Sequence, residues 1–377
     1  MIQSPGLLLT LVAFALVIGP LVFIHEMGHY LAARWFGVKA EVFSIGFGRE
    51  VTGWTDRRGT RWKVGWMPLG GYVRFAGDMN AASQPSAEWL ALPAEERRQT
   101  FPARPVWQRA IIVAAGPVVN LVAAVVILAG FALVYGVGET PTVVGRTLPG
   151  TVAVQAGLQP GDRITALGGR SVATFDDMVR YVKIRPGETV RIDYVRNGAA
   201  RSASATIGER HERDRFGNDY RVGLLGITPV APVIRQVGPL EAPLVAMRQT
   251  GQIVTMMVET IGQVVSGRRS VKELGGPLSI AKVSGEQITL GPQAFVLLIA
   301  LVSINLGFIN LLPVPMLDGG HLLFYAIEAV QRRPVGPEAQ EWAYRGGLAA
   351  ILGLMLLVTF NDLGNLGLWH RLAGLIG

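Results

Sequence analysis

Four uninterrupted apolar runs punctuate the chain: Gly6 to Ile24, Ile111 to Val137, Ala294 to Leu312 and the shorter Gly346 to Phe360. The first three approach or exceed the roughly 20 residues a helix needs to cross the hydrocarbon of a bilayer. A signal peptide would carry a basic stretch ahead of its apolar run, but the first basic residue is Arg34, and helical periodicity continues through His25 to Trp35. The first run is therefore expected to be a retained span. Between the runs the pattern changes. Glu41 to Phe75 alternates in the manner of strands, with turns expected at Trp54–Thr60 and Met67–Tyr72, which predicts β-hairpins. Bare strands cannot face lipid, so these are expected under the helices or at the interface. Val143 to Gly208 alternates short β-rich runs with Gly/Pro turns and one helical stretch, Phe175 to Ile184. Leu240 to Val265 sets Met247, Val254, Met257, Val258, Ile261 and Val265 at helical spacing, with Arg248, Gln252 and Glu259 between them. That predicts an amphipathic helix, lying on the membrane surface or on a neighbouring domain.

Composition agrees with spans. The chain has 377 residues, room for two or three domains, with 50% hydrophobic and only 16% charged residues, where a soluble protein carries about 25% charged. A net charge of +8 raises the question of nucleic acid. The basic residues are spread through loops beside apolar runs and form no long block, so membrane lipids with anionic headgroups are the expected partner and nucleic acid is not. The segment from Arg34 to Arg109 and the connection bearing Arg332, Arg333 and Arg345 are rich in Lys and Arg. The positive-inside rule puts both in the cytoplasm, and the long segment between the second and third runs on the other side. Cysteine is absent, so any metal site must be built from His, Asp or Glu.

The chemistry is concentrated at the end of the first run, in His25-Glu26-Met27-Gly28-His29. Residues four apart on a helix share a face, so both imidazoles can address one metal while Glu26 reaches a water held by it. Ionisable residues cost about 2.5–3.5 kcal/mol each near the centre of a transmembrane helix on insertion scales, which favours a function over ornament. Catalytic zinc takes three protein ligands. For the third, His211 lies in the long external segment, whereas Asp318 and His321 follow the third run. Pro313 and Pro315 break the helix there, and Gly319 permits a tight backbone that would let Asp318 swing toward the first span. Asp318 could alternatively cap the helix that follows, and His321 could compete as ligand. The Gly70-Gly71 pair, in a turn with a free sheet edge, is a place where an extended substrate could pair.

The His25–His29 motif, Ala115-Gly116-Pro117-Val118-Val119-Asn120 in the second run, Asn310…Pro313 with Leu317-Asp318-Gly319, Gly276-Pro277-Leu278-Ser279-Ile280-Ala281 and Asn361-Asp362 together resemble the site-2 protease family of intramembrane zinc metalloproteases. The resemblance is nearest to its bacterial members that regulate sigma-E. Ala156-Gly-Leu-Gln-Pro160-Gly161-Asp162-Arg-Ile164 resembles a bacterial PDZ domain. The resemblance implies Zn2+ on His25, His29 and Asp318, Glu26 as the catalytic acid/base, and Asn310 as a residue that holds unwound substrate. Pro313, Pro315, Gly70 and Gly71 join Asn310 as candidate substrate-binding residues. It also implies single-span membrane protein substrates such as an anti-sigma factor, or remnant signal peptides, in an envelope stress response. Enteric members carry two tandem PDZ domains and only one fits here.

The expected fold is a multi-span α-helical membrane protein with four transmembrane helices, a β-rich cytoplasmic-side hairpin region and a periplasmic α+β PDZ domain. Its expected divisions are 1–36, first span with the zinc motif; 37–108, hairpin region; 109–138, second span; 139–230, PDZ domain and flank; 231–290, amphipathic helix; 291–326, third span and Asp-Gly segment; and 327–377, cytoplasmic loop, fourth span and tail. The expected location is the bacterial inner membrane, with the active site toward the cytoplasm and the PDZ domain in the periplasm. Two rivals make different predictions: a transporter would show internal repeats and more ionisable residues across the spans, and an inactive scaffold would have lost Glu26.

Overall fold

The computed structural model describes residues 5–77, 89, 92–213, 219–267 and 276–365. Part of the expected hairpin region, part of the amphipathic-helix region and the C-terminal tail lie outside the described residues. The chain forms two compact units, one of residues 1–130 and 243–377, the other of residues 131–242.

In the first unit, α1 (Leu7–Trp35) runs without a break through the His-Glu motif, and Pro20 removes one backbone donor without ending it. The chain then folds into β1 (Ala40–Thr55) and β2 (Arg61–Phe75). Their register is more elaborate than one hairpin. Val42 to Ile45 pair with Arg61 to Val64 on one side and with Arg74 to Gly71 on the other, so residues 71–75 form an outer edge of this sheet. The two expected turns produce this: Asp56 caps the 56–60 loop through the Arg58 and Thr60 N–H groups (2.8 and 3.0 Å), and Gly70 takes a left-handed φ of 87° where the chain reverses inside β2. Tyr30 of α1 stacks edge-on against Phe43 and Trp62, seating the sheet on the helix. A short helix, α2 (Ala94–Arg98), leads to α3 (Val106–Tyr135). The second apolar run was expected to remain helical to Val137, but Gly136 adopts a φ of 75° and its N–H bonds back to Ala132. A left-handed glycine ends the helix there.

The second unit begins with β3 (Val137–Glu139) and β4 (Val144–Thr147), then α4 (Val152–Gln155), β5 (Arg163–Leu167), β6 (Arg170–Ser171), α5 (Phe175–Lys183), β7 (Thr189–Arg196), β8 (Ala199–Thr206), β9 (Gly208–Arg213), β10 (Asp219–Leu224), β11 (Ile227–Pro229) and β12 (Val233–Arg235). Strands β6-β5-β7-β8 form its main sheet, and β4 pairs with β11 and β3 with β12. The expected helix, turn and strand of the PDZ-like signature are present: α4 ends at left-handed Gly157, and the Pro160-Gly161 turn feeds β5. Buried Asp162 holds this stretch, accepting from the Gln159 N–H (2.7 Å) and from Arg196, which also donates to the Gly157 carbonyl (2.6 Å). Thr174 and Asp177 form a reciprocal capping box on α5. The core is a cluster of alternate strand positions such as Ile164, Ile192 and Ala205 with Phe175, Met178 and Val182 of α5.

The chain returns to the first unit through α6 (Ala242–Val265), the expected amphipathic helix, then α7 (Pro277–Thr289), α8 (Pro292–Asn310), α9 (Asp318–Gln331) and α10 (Pro337–Asn365). Buried Asp362 of α10 caps the start of α7, accepting from the Ser279 N–H (3.0 Å) and hydroxyl (2.5 Å). At Gly285 α7 comes so close to α1 that an added Cβ would lie 2.6 Å from the Thr10 hydroxyl. Helices α1, α3, α8 and α10 are each long and apolar enough to cross a membrane. Their outward residues include Leu8 (77% exposed) and Val134 (68%), side chains that suit lipid rather than water.

Candidate metal centre

His25 and His29 lie one turn apart on the face of α1 turned into the protein, with Glu26 beside them, and all three are buried (7–8% exposed). Burial follows from close helix contact: an added Cβ on Gly28 would lie 2.5 Å from the Ala115 carbonyl, and one on Gly116 would lie 2.2 Å from His29 Nε2. Gly307 of α8 approaches the Pro117 carbonyl of α3 in the same way. The stretch Ala115–Asn120 of the second span thus meets both the first and the third.

Asp318 reaches the histidines by the route its sequence suggested, with one change in cause. Helix α8 stops at Asn310, ahead of Pro313 and Pro315, so Leu311 and Leu312 of the third run fall in the turn. The tight backbone falls at Met316, a non-glycine with φ 88°, rather than at Gly319. Gly319 instead lies in the first turn of α9, where an added Cβ would lie 2.2 Å from the Leu312 carbonyl. Asp318 does not cap this helix; Leu317 occupies the N-cap, and no side-chain cap bond forms. The carboxylate is left for the cavity.

His25 Nε2 and His29 Nε2 are 3.2 Å apart, and Asp318 Oδ2 lies 3.1 and 3.5 Å from them. Ligand atoms about 2.0–2.1 Å from a tetrahedral zinc stand roughly 3.3–3.4 Å apart, so these three atoms occupy corners of a suitable tetrahedron. Oδ2 is buried and has no hydrogen-bond partner, which suits a lone pair intended for a cation. Among the described residues this is the one group of three or more His, Cys, Asp or Glu that could hold a metal.

A histidine offering Nε2 to a metal carries its proton on Nδ1 and needs an acceptor there. For His29 the acceptor is the Ile112 carbonyl of α3, 2.9 Å away. For His25 it is the side-chain amide of Asn120, whose Nδ2 lies 3.1 Å from Nδ1 while Oδ1 is buried and unpartnered. A half-turn of the amide brings Oδ1 to the Nδ1–H. Ser303 of α8 donates to the Asn120 carbonyl (2.7 Å), joining the third span to this support. Gly116 and Asn120 stand in the Ala115–Asn120 motif of the sequence without a predicted chemical role, and Ile112 stands outside every motif. The apolar second span did contain an asparagine as a signal, but a supporting backbone carbonyl leaves no trace in sequence.

A cavity of about 430 Å³ opens over these groups, and Gly70, Gly71, Asn310 and His321 also line it. Gly71 is there by necessity: an added Cβ would lie 2.7 Å from the Ser44 carbonyl and 3.0 Å from Glu26 Cγ. The edge of β2 therefore runs alongside Glu26. Pro313 and Pro315 do not line the cavity; Pro315 packs against Gly320 and Gly347 and shapes the turn. His211 lies on β9 of the second unit. That unit has its own groove of about 270 Å³, walled by Phe175, Met178 and Val182 of α5 and by Leu225 and Ile227, with Arg210 at its edge.

The sequence model of peptidase family M50 matches residues 13–354. A protein of Agrobacterium fabrum, named provisionally as a zinc metalloprotease, is 44% identical over 361 residues, 94% of this chain and 96% of its own. A similarly named protein of Rhizobium meliloti is 42% identical over 94% of this chain and 96% of its own. Metalloprotease MmpA of Caulobacter vibrioides is 37% identical over 98% of this chain and 99% of its own. Among solved structures, the PDZ domain of an SdrC-like protein from Listeria monocytogenes covers 25% of this chain and 87% of its own at 23% identity, with a TM-score of 0.18. The PDZ-like description of the second unit rests instead on its own helix, turn and strand order. With a metal-ready triad of His25, His29 and Asp318, a glutamate beside it and relatives matched almost end to end, the chain belongs to peptidase family M50, the site-2 protease family of zinc metalloproteases.

Proposed function

We propose that the chain hydrolyses peptide bonds within transmembrane segments of single-span membrane proteins, with zinc held by His25, His29 and Asp318 and with Glu26 as the acid/base. The observation that carries this reading is the spacing of the three ligand atoms beside Glu26. Zinc at this position supplies Lewis acidity toward the scissile carbonyl and toward water. Glu26 takes a proton from the attacking water and returns it to the departing amine. A peptide bond inside a helix is shielded by its own turns, so the substrate must unwind, and the 71–75 edge beside Glu26 offers backbone groups to the unwound strand. Asn310, which also lines the cavity, offers an amide for the same purpose.

The substrates in this reading are an anti-sigma factor already trimmed by another protease, or remnant signal peptides. The chain sits in the bacterial inner membrane with its metal centre toward the cytoplasm and the PDZ-like unit in the periplasm, as the distribution of Lys and Arg supports. The apolar groove along α5 suits a chain end made by an earlier cut.

Metal analysis and cleavage of a single-span test substrate examine the chemistry. Wild type should hold one zinc per chain, and His25→Ala and Asp318→Ala should lose it. Glu26→Gln should retain zinc and lose cleavage, because the amide is nearly isosteric and cannot act as a base. Equal zinc in all four proteins would sink the ligand assignment. Fragments trapped on Glu26→Gln in cells would identify the substrate.

A further inference from the structure

The cavity lining includes a histidine that the proposed reaction leaves idle. His321 lies three residues after Asp318 on α9, hence on the same side of the helix, and it lines the cavity with His25, Glu26, His29 and Asp318. It is not one of the three clustered ligands. Its ring meets Tyr344 of α10, whose hydroxyl lies 3.0 Å from Nδ1 and 3.1 Å from Nε2. That hydroxyl, on a residue only 7% exposed, can serve one ring nitrogen at a time. The two distances favour neither nitrogen, but whichever accepts from the Tyr344 O–H, the ring proton sits on the other, which is then an N–H donor.

A neutral imidazole N–H in a secluded cavity is an electrophile suited to negative charge that appears only during reaction. Hydrolysis creates such charge. As the water oxygen bonds to the carbonyl carbon, one water proton goes to Glu26 and the carbonyl π electrons move onto the carbonyl oxygen. When they return, the C–N bond breaks and the nitrogen takes the proton from Glu26. Over that interval the former carbonyl oxygen needs a donor. We propose that His321 is a catalytic residue that donates its N–H to this oxyanion, and that Tyr344 is the positioning residue that holds its ring and keeps one nitrogen as acceptor and the other as donor. The inference rests on the proposed peptidase reading of the same cavity.

The test uses full-length protein in lipid nanodiscs, a single-span test substrate, and a phosphinic peptide as a stable mimic of the tetrahedral state. His321→Ala should keep zinc and its thermal midpoint while kcat falls about 100-fold, the usual loss for one oxyanion donor, with KM nearly unchanged. The phosphinic peptide should weaken by the same factor as kcat/KM, because it imitates the transition state. His321→Gln retains an N–H donor and should recover part of the loss. Tyr344→Phe should keep zinc and lower kcat by about tenfold, as removal of an outer partner does. Loss of zinc in His321→Ala would make the residue a support of the metal site and overturn the proposal. An unchanged kcat, or a loss confined to KM, would overturn it as well. Absence of zinc from wild type, or full activity of Glu26→Gln, would instead refute the underlying reading of the cavity.

Discussion

Asn120 carries a larger share of the site than an asparagine in an apolar span would suggest. It is fully buried, its side chain meets His25 and its carbonyl accepts from Ser303. A buried amide without partners is unfavourable, so its retention in α3 is explained by the imidazole it orients. Asn120→Leu keeps the volume and removes the acceptor. Zinc affinity should fall about 10–100-fold, measured by competition with a chromophoric chelator, and Asn120→Asp should recover most of it. Unchanged affinity in Asn120→Leu would show that His25 needs no such partner. The residue-scale chemistry was partly legible: two histidines and a glutamate within five positions are brought together by one helix. Asn120 stands 95 residues from His25, and nothing local ties one to the other.

At the scale of elements, the turn between α8 and α9 and the turn between α4 and β5 solve the same problem by different means. The first uses two prolines and a strained Met316 to aim a carboxylate at the histidines. The second uses Asp162, whose oxygens are occupied by Arg196 and the Gln159 N–H. Burial by itself would raise the Asp162 pKa, but the Arg196 hydrogen bonds and the Gln159 N–H outweigh it and hold the carboxyl below its ordinary value. A group with a depressed folded-state pKa adds stability above its unfolded value, near 4, and loses it as the pH falls through the folded value. Amide exchange in β5 and β7, corrected for intrinsic rates, should therefore show protection declining below about pH 4. Asp162→Asn should lower that protection at pH 7 and flatten the decline. Removing one partner of a buried pair costs about 3–5 kcal/mol, and the partly exposed Arg196 places this case at or below the lower end.

For the whole molecule, the two units suggest where one activity can be separated from another. Strands β3 and β12 pair antiparallel through Val137↔Arg235 and Glu139↔Val233, so they close the second unit like a stem. Excising residues 140–232 and joining the stem with a short Gly linker leaves that pairing intact. A cut confined to Val143–Gly208 would instead remove β4 and strand its partner β11. The excised protein should retain zinc and cleave a short test substrate at a rate within a few fold of wild type. It should also lose discrimination against a substrate with an intact external domain. Failure on the short substrate by a folded, zinc-loaded protein would refute a gating role for the PDZ-like unit.

The sequence alone determined the four helical runs, the metal motif, the paired turns around β2 and the helix, turn and strand of the second unit. Each of these depends on residues close together in the chain, where apolar run length, 3.6-residue periodicity and glycine or proline conformation act directly. Tertiary structure decided the rest. Asp318 rather than His321 joining the two histidines in the cluster depended on where the 311–317 turn came to lie. The support of His25 by Asn120 depended on helix contacts set by Gly28, Gly116 and Gly307, whose bare Cα atoms allow the close approaches, and that of His321 by Tyr344 depended on the meeting of α9 with α10. Gly71 looked like a turn glycine, whereas in the fold its missing side chain leaves room for Glu26. Those distances arise from packing between segments far apart in sequence, and one chain read in isolation does not encode them in any local pattern.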